Sequence, residues 1–149
     1  MQVKRILVPV DGSELTDRAI EASLALAAQL GAEIVGFVAV LTSSLLPRPR
    51  QDRREAAADS LGDDDEDVSS AGPVLARFES MARAAGVPFE GVLDQVPSIG
   101  KAIIAAAASH RCDMIVMVTH GRGAFGEFLF GSQTKAVLAG SNLPLLVLH

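Results

Sequence analysis

Short, continuous aliphatic runs alternate along this chain with segments whose apolar residues recur at helical spacing. Runs of this kind predict strands that are buried on both faces of a sheet. Five strands are predicted, at 5–10, 33–41, 87–96, 112–118 and 143–149, and the third has a more alternating pattern. Four helices are predicted between them from apolar spacing and capping residues, at 13–30, 73–86, 98–110 and 132–140.

Strands that alternate with helical crossovers are typical of a parallel α/β sandwich. The segment 42–72 departs from this pattern, because it contains two prolines, a cluster of arginines and the acidic run at 63–67. Its composition predicts a mobile insertion whose charges stay in water, with a short helix at 51–58. We therefore expect one domain over residues 1–149, with this insertion between the second and third strands.

The composition limits the kinds of partner. The 149 residues carry a formal net charge of -5 and include no Trp or Tyr, which argues against binding to nucleic acid or to an anionic membrane. No apolar stretch approaches the roughly 18–20 residues of a membrane span, and the start of the chain lacks a signal-peptide pattern. The single cysteine, Cys112, excludes an intrachain disulfide and a cysteine-cluster metal site. We expect a cytoplasmic protein in which the Cys112 thiol is buried or half-buried and has no redox role. His110 and His149 are expected to face solvent.

A glycine-rich loop after the fourth strand is the strongest local signal for a ligand. It contains Gly121, Arg122 and Gly131, and it leads into a helix that begins with Ser132 and Gln133. Glycines allow close backbone approach and a helix N-terminus attracts phosphate, so this pattern predicts an anion site. A surface loop with an ordinary N-cap serine explains the same residues, and the pattern alone leaves both interpretations open.

Two better-known phosphate motifs do not fit this loop. Gly121, Gly123 and Gly126 match G-x-G-x-x-G, but that dinucleotide fingerprint follows the first strand and needs an acidic residue about 20 positions later. No Asp or Glu follows Glu127 in this chain. A Walker A loop is also excluded, since no Gly-Lys pair here precedes Ser or Thr.

A second candidate loop, at 9–14, leaves the carboxyl end of the first strand. Open α/β sheets bind ligands at this end, where the order of the strands reverses. With a strand order of 3-2-1-4-5, this loop and the glycine-rich loop flank one crevice. Asp11 then suits a hydrogen bond to a ribose or an amine, or a divalent cation, but capping the first helix or its own turn is an equal alternative.

Several motifs in a fixed order resemble the universal stress protein family along nearly the whole chain. They are ILVPVDGS at the start, DMIVM in the fourth strand, THGRG after it, FLFGS before the last helix and NLPLLV near the end. The resemblance implies a flavodoxin-like fold, a three-layer α/β sandwich with a five-stranded parallel sheet of order 3-2-1-4-5. It implies little about 42–72, where such proteins vary.

The chain is similar to the ATP-binding branch of that family, whose signature is G-x2-G-x9-G-[ST]. Gly121, Gly131 and Ser132 match it, but Val118 stands where the first glycine belongs. A β-branched side chain narrows the crevice if the ligand needs close backbone approach there. A left-handed backbone at this position would cost valine about 1–2 kcal/mol, whereas a residue still on the strand would cost nothing.

The resemblance also implies which residues contact the nucleotide, which would be ATP, ADP or AMP, with or without Mg²⁺. The residues near the adenosine would be Pro9, Val10, Asp11 and Ala39. Met117 and Val118 would lie beneath the nucleotide. The residues that hold the phosphates would be Gly121, Arg122, Gly131, Ser132 and Gln133.

The implied function is stress-associated, regulatory binding of an adenine nucleotide, with at most weak ATP hydrolysis, because no general base can be assigned from the sequence. The resemblance further implies a homodimer through the C-terminal segment that begins at Leu143 and ends at Leu148. The competing interpretation is a nucleotide-free dimeric interaction protein in which Val118 has closed the pocket. A third is an adenylyl-transfer enzyme, since Asp11, Gly12 and Ser13 loosely match a pyrophosphate loop.

Overall fold

Five strands form the sheet: β1 Arg5–Pro9, β2 Glu33–Leu41, β3 Phe89–Val96, β4 Met114–Val118 and β5 Leu145–Leu148. Their spatial order is β3-β2-β1-β4-β5, and all neighbouring pairs are parallel. The computed structural model describes residues 1–12, 15–42, 63–118 and 132–149. The strand order and the three-layer α/β architecture expected from the sequence are confirmed.

Four helices among the described residues cover the two faces of the sheet: α1 Leu15–Leu30, α2 Asp63–Ala85, α3 Ile99–Ser109 and α4 Ser132–Gly140. Ile6 and Val8 of β1 lie on the face covered by α1 and α2. Leu7 points to the opposite face, which α3 and α4 cover. Successive residues of a strand alternate between faces, so two covered faces require the continuous aliphatic runs seen in the sequence.

Helix α2 begins at Asp63, well before Pro73, where the sequence predicted that order resumes. The predicted start of this helix at Pro73 is therefore wrong, because the helix includes the acidic run at 63–67. The mobility and solvation of the insertion stay predictions. Acidic residues near a helix N-terminus are stabilised by the positive end of the helix dipole. Ala71 is buried in the core, and Pro73 lies inside the helix despite having no amide to donate. The remainder of the predicted insertion, at 43–62 with its short helix, lies outside the described residues.

Charged side chains connect three strands at the amino-terminal edge of the sheet. Nε of Arg5 lies 2.9 Å from Oε1 of Glu33, and the Arg5 guanidinium also donates to Glu90 of β3. Nδ1 of His110 lies 3.1 Å from Oε1 of Glu90. His110 is thus half-buried, and the prediction that it faces solvent is wrong. Cys112 is buried as predicted, and burial raises the pKa of its thiol to about 11.

Candidate functional site

The carboxyl ends of β1 and β4 lie side by side where the order of the sheet reverses. β1 pairs with β2 on one side and with β4 on the other. After β1 the chain enters α1 on one face, whereas the helix after β4 is α4, on the opposite face. Connections that diverge to opposite faces leave a crevice beyond the strand ends, which is where open α/β sheets bind ligands.

The turn after β1 is held by hydrogen bonds to its own neighbourhood. The Val10 amide donates to the Phe37 carbonyl of β2 at 2.9 Å, which extends the pairing one residue beyond β1. Gly12 has a φ of 79°, a left-handed conformation that glycine adopts without strain. Its amide donates to Thr16 Oγ1 at 3.0 Å, and the Thr16 hydroxyl donates to Asp11 Oδ1 at 3.3 Å.

Asp11 therefore has a local role of the kind that the sequence left open, since its carboxylate bonds to the first turn of α1. Its side chain is nevertheless exposed beyond the carboxyl end of β1, so this contact is compatible with a ligand contact. Thr16 is buried, with 7% of its surface exposed, and sequence reasoning missed it. The available signal was its position four residues before Ile20, on the apolar face of the predicted helix. Ser13, at which the predicted helix begins, lies outside the described residues.

Other predicted site residues lie near the ends of their strands. Pro9 is the last residue of β1 and Ala39, which is half-buried, pairs with Asp94 of β3 close to the end of β2. Met117 is buried on the face covered by α3 and α4. The structure thus brings Pro9, Ala39 and Met117 to the same edge of the sheet as the turn after β1.

Val118 is the last residue of β4 and pairs with Leu148 of β5. The pairing of Leu7 with Ile115, continued along both strands, brings Val118 level with Val10. Among the described non-glycine residues only Arg111 has a positive φ, so the backbone of Val118 is not left-handed. The strain considered for a valine at this position is therefore absent, and any effect of Val118 on a ligand comes from the bulk of its half-buried side chain.

Helix α4 begins with Ser132 and Gln133, which are both exposed. Gly100 of α3 lies against this helix: a Cβ on Gly100 would lie 2.8 Å from Cβ of Ala136 and 3.1 Å from Oε1 of Gln133. A contact of 2.8 Å is too short for two carbon atoms, so the close approach of the two helices requires glycine at position 100. This packing sets the position of the N-terminus of α4.

Three predicted phosphate contacts, Gly121, Arg122 and Gly131, lie outside the described residues. The described part of the chain contains no group of three or more His, Cys, Asp or Glu residues arranged to hold a metal ion. In the same ranges, every helix is too short or too polar to cross a membrane.

The order of the strands and the two covered faces define this molecule as a doubly wound α/β protein. Its candidate ligand site lies where the order of the strands reverses. The model of the universal stress protein family matches residues 2–149. The chain belongs to the universal stress protein family, as the resemblance of its motifs predicted.

Individual family members are similar to this chain over most of its length. Universal stress protein MJ0531 of Methanocaldococcus jannaschii is 26% identical over 145 residues, which cover 97% of this chain and 81% of the relative. A universal stress protein from Archaeoglobus fulgidus, solved in complex with dAMP, has 20% identity and a TM-score of 0.67, with 100% of both chains covered. A universal stress protein solved in complex with cAMP has 19% identity and a TM-score of 0.65, covering 100% of this chain and 98% of the other. At these identities the two structures establish the shared fold.

Proposed function

We propose that this protein binds an adenine nucleotide (ATP, ADP or AMP) in the crevice at the carboxyl ends of β1 and β4. The observation that carries the proposal is the position of Asp11, an exposed carboxylate on the turn after β1 at the switch point of the sheet. The dAMP and cAMP complexes of two proteins with this fold support an adenine ligand.

The chemistry of Asp11 assigns it to the nucleoside end of the ligand. Its carboxylate accepts hydrogen bonds, which suits the hydroxyl groups of a ribose or the amine of an adenine. A carboxylate repels phosphate, so Asp11 approaches the phosphates only across a bound Mg²⁺, for which it supplies a suitable oxygen. Pro9, Val10 and Ala39 surround this end with backbone and apolar surface for the adenosine.

The phosphates are assigned to the N-terminus of α4. The first amides of a helix have no acceptor within the helix, and its dipole stabilises a nearby negative charge by about 0.3–1 kcal/mol when exposed. Ser132 adds a hydroxyl donor and Gln133 an amide, and both are exposed. The family resemblance adds Gly121, Arg122 and Gly131, and it assigns Met117 and Val118 to the surface beneath the nucleotide.

The proposed role is regulatory, in a stress response in the cytoplasm, with ATP hydrolysis slow in the absence of a partner. Efficient hydrolysis needs a base that is positioned to activate water. Asp11 instead accepts a hydrogen bond from Thr16, which favours orientation of the ligand over proton transfer.

We also propose that the protein forms a homodimer through β5 and the residues before it, from Leu143 to Leu148. β5 is an edge strand of the sheet, and its Leu146 is 37% exposed. An exposed apolar edge strand is a template for pairing with a second chain. Sedimentation velocity tests this proposal, with a dimer expected for the wild-type protein and dissociation expected for Leu146→Lys.

The nucleotide proposal is tested by releasing any ligand from the purified protein with acid and identifying it by mass spectrometry. ATP, ADP and AMP are then titrated calorimetrically into ligand-free protein, with and without Mg²⁺. We expect saturable binding of ATP that Asp11→Ala weakens at least tenfold. Glu79→Ala is the matched control, because it also removes one exposed carboxylate but lies on the surface of α2.

The nucleotide-free alternative rests on Val118, whose side chain stands where the family signature has glycine. It predicts a dimer with no co-purified nucleotide and no saturable heat with any of the three ligands. That result would overturn the nucleotide proposal and leave dimerisation as the function of the fold.

A further inference from the structure

We propose that Thr16 is the positioning residue for Asp11 and for the turn that carries it. The inference rests on the proposed nucleotide site and assigns a role there to a residue that neither the sequence motifs nor the family signature identified. Thr16 lies in the first turn of α1, outside the loop itself, and its hydroxyl contacts both the backbone and the carboxylate of that loop.

The directions of the two hydrogen bonds follow from the inventory of donors and acceptors. Gly12 contributes a backbone N–H, which only donates, so Thr16 Oγ1 is the acceptor at 3.0 Å. The hydroxyl retains one proton, and this proton goes to Asp11 Oδ1 at 3.3 Å. One side chain therefore fixes both a backbone amide in the left-handed turn and a carboxylate oxygen.

Burial gives this contact its effect. Thr16 is 7% exposed, whereas Asp11 is exposed. The Thr16 side chain, which is packed on the core face of α1, thus restrains the exposed side chain of Asp11. Without the hydroxyl, Asp11 loses one of the hydrogen bonds that restrict its rotamers, and nucleotide binding carries a larger entropic cost of ordering it. Preorganisation of this kind is measured as ligand affinity, separately from the stability of the fold.

Two substitutions separate the hydroxyl from the shape of the side chain. Thr16→Val keeps the branched shape and removes both hydrogen bonds, whereas Thr16→Ser keeps the hydroxyl. We expect Thr16→Val to weaken ATP binding about five- to tenfold and Thr16→Ser to remain within about twofold of the wild-type protein. Thr16→Ala, which also lacks the hydroxyl, provides the same comparison if Thr16→Val does not fold.

The matched control is Ser23→Ala, which removes another buried hydroxyl of α1. Ser23 is fully buried and donates to the Ile20 carbonyl at 3.0 Å, away from the crevice. The Ser23→Ala variant is expected to have a lower unfolding temperature and an unchanged affinity for ATP. A merely structural Thr16 would behave like Ser23, with lost stability and unchanged affinity, and that result would overturn the inference.

A double-mutant cycle shows whether Thr16 acts through Asp11. In the Asp11→Ala background, we expect Thr16→Val to weaken ATP binding less than twofold further. A full additional five- to tenfold loss would mean that Thr16 acts independently of Asp11, and the proposed positioning of that carboxylate would be wrong. The titration of the wild-type protein tests the proposed function separately. If the wild-type protein does not bind ATP, the proposed function is overturned. If the wild-type protein and Thr16→Val bind ATP with equal affinity, only the role of Thr16 is overturned.

Discussion

Oδ2 of Asp113 accepts a hydrogen bond from the backbone amide of Lys4, with 2.8 Å between the two atoms. The same oxygen accepts from the Arg5 amide at 3.0 Å, and the Asp113 amide donates to the Arg5 carbonyl at 2.8 Å. A side chain therefore pairs the amino ends of β1 and β4, the two strands whose carboxyl ends flank the candidate site. Asp113 thus ties the two strands together at the end of the sheet opposite the candidate site.

Asp113→Ala is expected to lower the free energy of unfolding by about 1–3 kcal/mol, because it leaves two amides at this edge without their acceptor. Chemical denaturation measures the change. Glu79→Ala is the control, since Glu79 makes an exposed pair with Arg83 at 3.5 Å, and such pairs contribute about 0–1 kcal/mol. ATP affinity should be the same in both variants, because neither lies near the crevice. Equal losses of stability would show that Asp113 does not tie the two strands together.

Gly100→Ala is expected to cost about 1–3 kcal/mol of stability and to weaken nucleotide binding severalfold. The added methyl group would lie 2.8 Å from Cβ of Ala136 and would displace α4, which carries Ser132 and Gln133. Ala136→Gly should partly rescue both properties in the double variant, because it removes the opposing methyl group. Thermal unfolding measures the stability of the two single variants and the double variant, and calorimetry measures their nucleotide affinity. If the effects of Gly100→Ala and Ala136→Gly simply add in the double variant, this account of the helix contact is contradicted.

Val118→Gly is expected to tighten ATP binding severalfold, with Val118→Ala intermediate. The side chain of Val118 is half-buried at the end of β4, and its backbone is not left-handed, so the substitution relieves crowding without relieving strain. Calorimetric titration of the three proteins measures the series. Equal affinities across valine, alanine and glycine would refute the steric account, and thermal unfolding would report the separate cost of glycine in a strand.

The Cys112 thiol gives a pH dependence whose sign is fixed by its raised pKa. Burial raises this pKa from 9.0 to about 11 in the folded protein. Well below pH 9 the thiol is therefore protonated in both the folded and the unfolded state, and it does not make stability depend on pH. Between these values the unfolded thiol ionises while the folded one retains its proton, and stability falls as the pH rises. The free energy of unfolding decreases by about 2–3 kcal/mol in total, which corresponds to roughly 1.4 kcal/mol for each pH unit.

Cys112→Ala isolates this contribution from the other groups that titrate at alkaline pH. The difference in unfolding free energy between the wild-type protein and Cys112→Ala should shift by about 2–3 kcal/mol against the wild type between pH 8 and pH 11. A constant difference across that range would show that the thiol is not held protonated. The same burial predicts slow reaction with a thiol reagent at pH 8 unless the protein is unfolded.

Much of the fold could be predicted from local sequence. The second strand and the last helix have the predicted limits, at Glu33–Leu41 and Ser132–Gly140. Residues on both faces of β2 are buried, so its apolar run is continuous and its ends are sharp. The start of α2 at Asp63 could not be predicted, because an acidic run is typical both of a solvated linker and of a helix N-terminus.

The candidate site was likewise predicted from the sequence only in part. Sequence indicated Asp11 because it follows an apolar strand. The order of the motifs supplied the family, and the family signature drew attention to Val118, which stands where that signature has glycine. The sequence left open whether Asp11 bonds locally, and it did not indicate Thr16. A hydroxyl in the first turn of a helix acquires its partner only when the preceding turn folds back onto it.

The sequence by itself determined the succession of strands and helices and the family to which the chain belongs. Those features depend on the periodicity of apolar residues and on the order of the motifs, which can both be read directly from the sequence. Only the tertiary structure decided that Val118 has a backbone free of left-handed strain, that Gly100 sets the approach of α3 to α4, and that His110 meets Glu90. Those contacts depend on strand register and helix packing between segments far apart in the chain, and no local pattern encodes them.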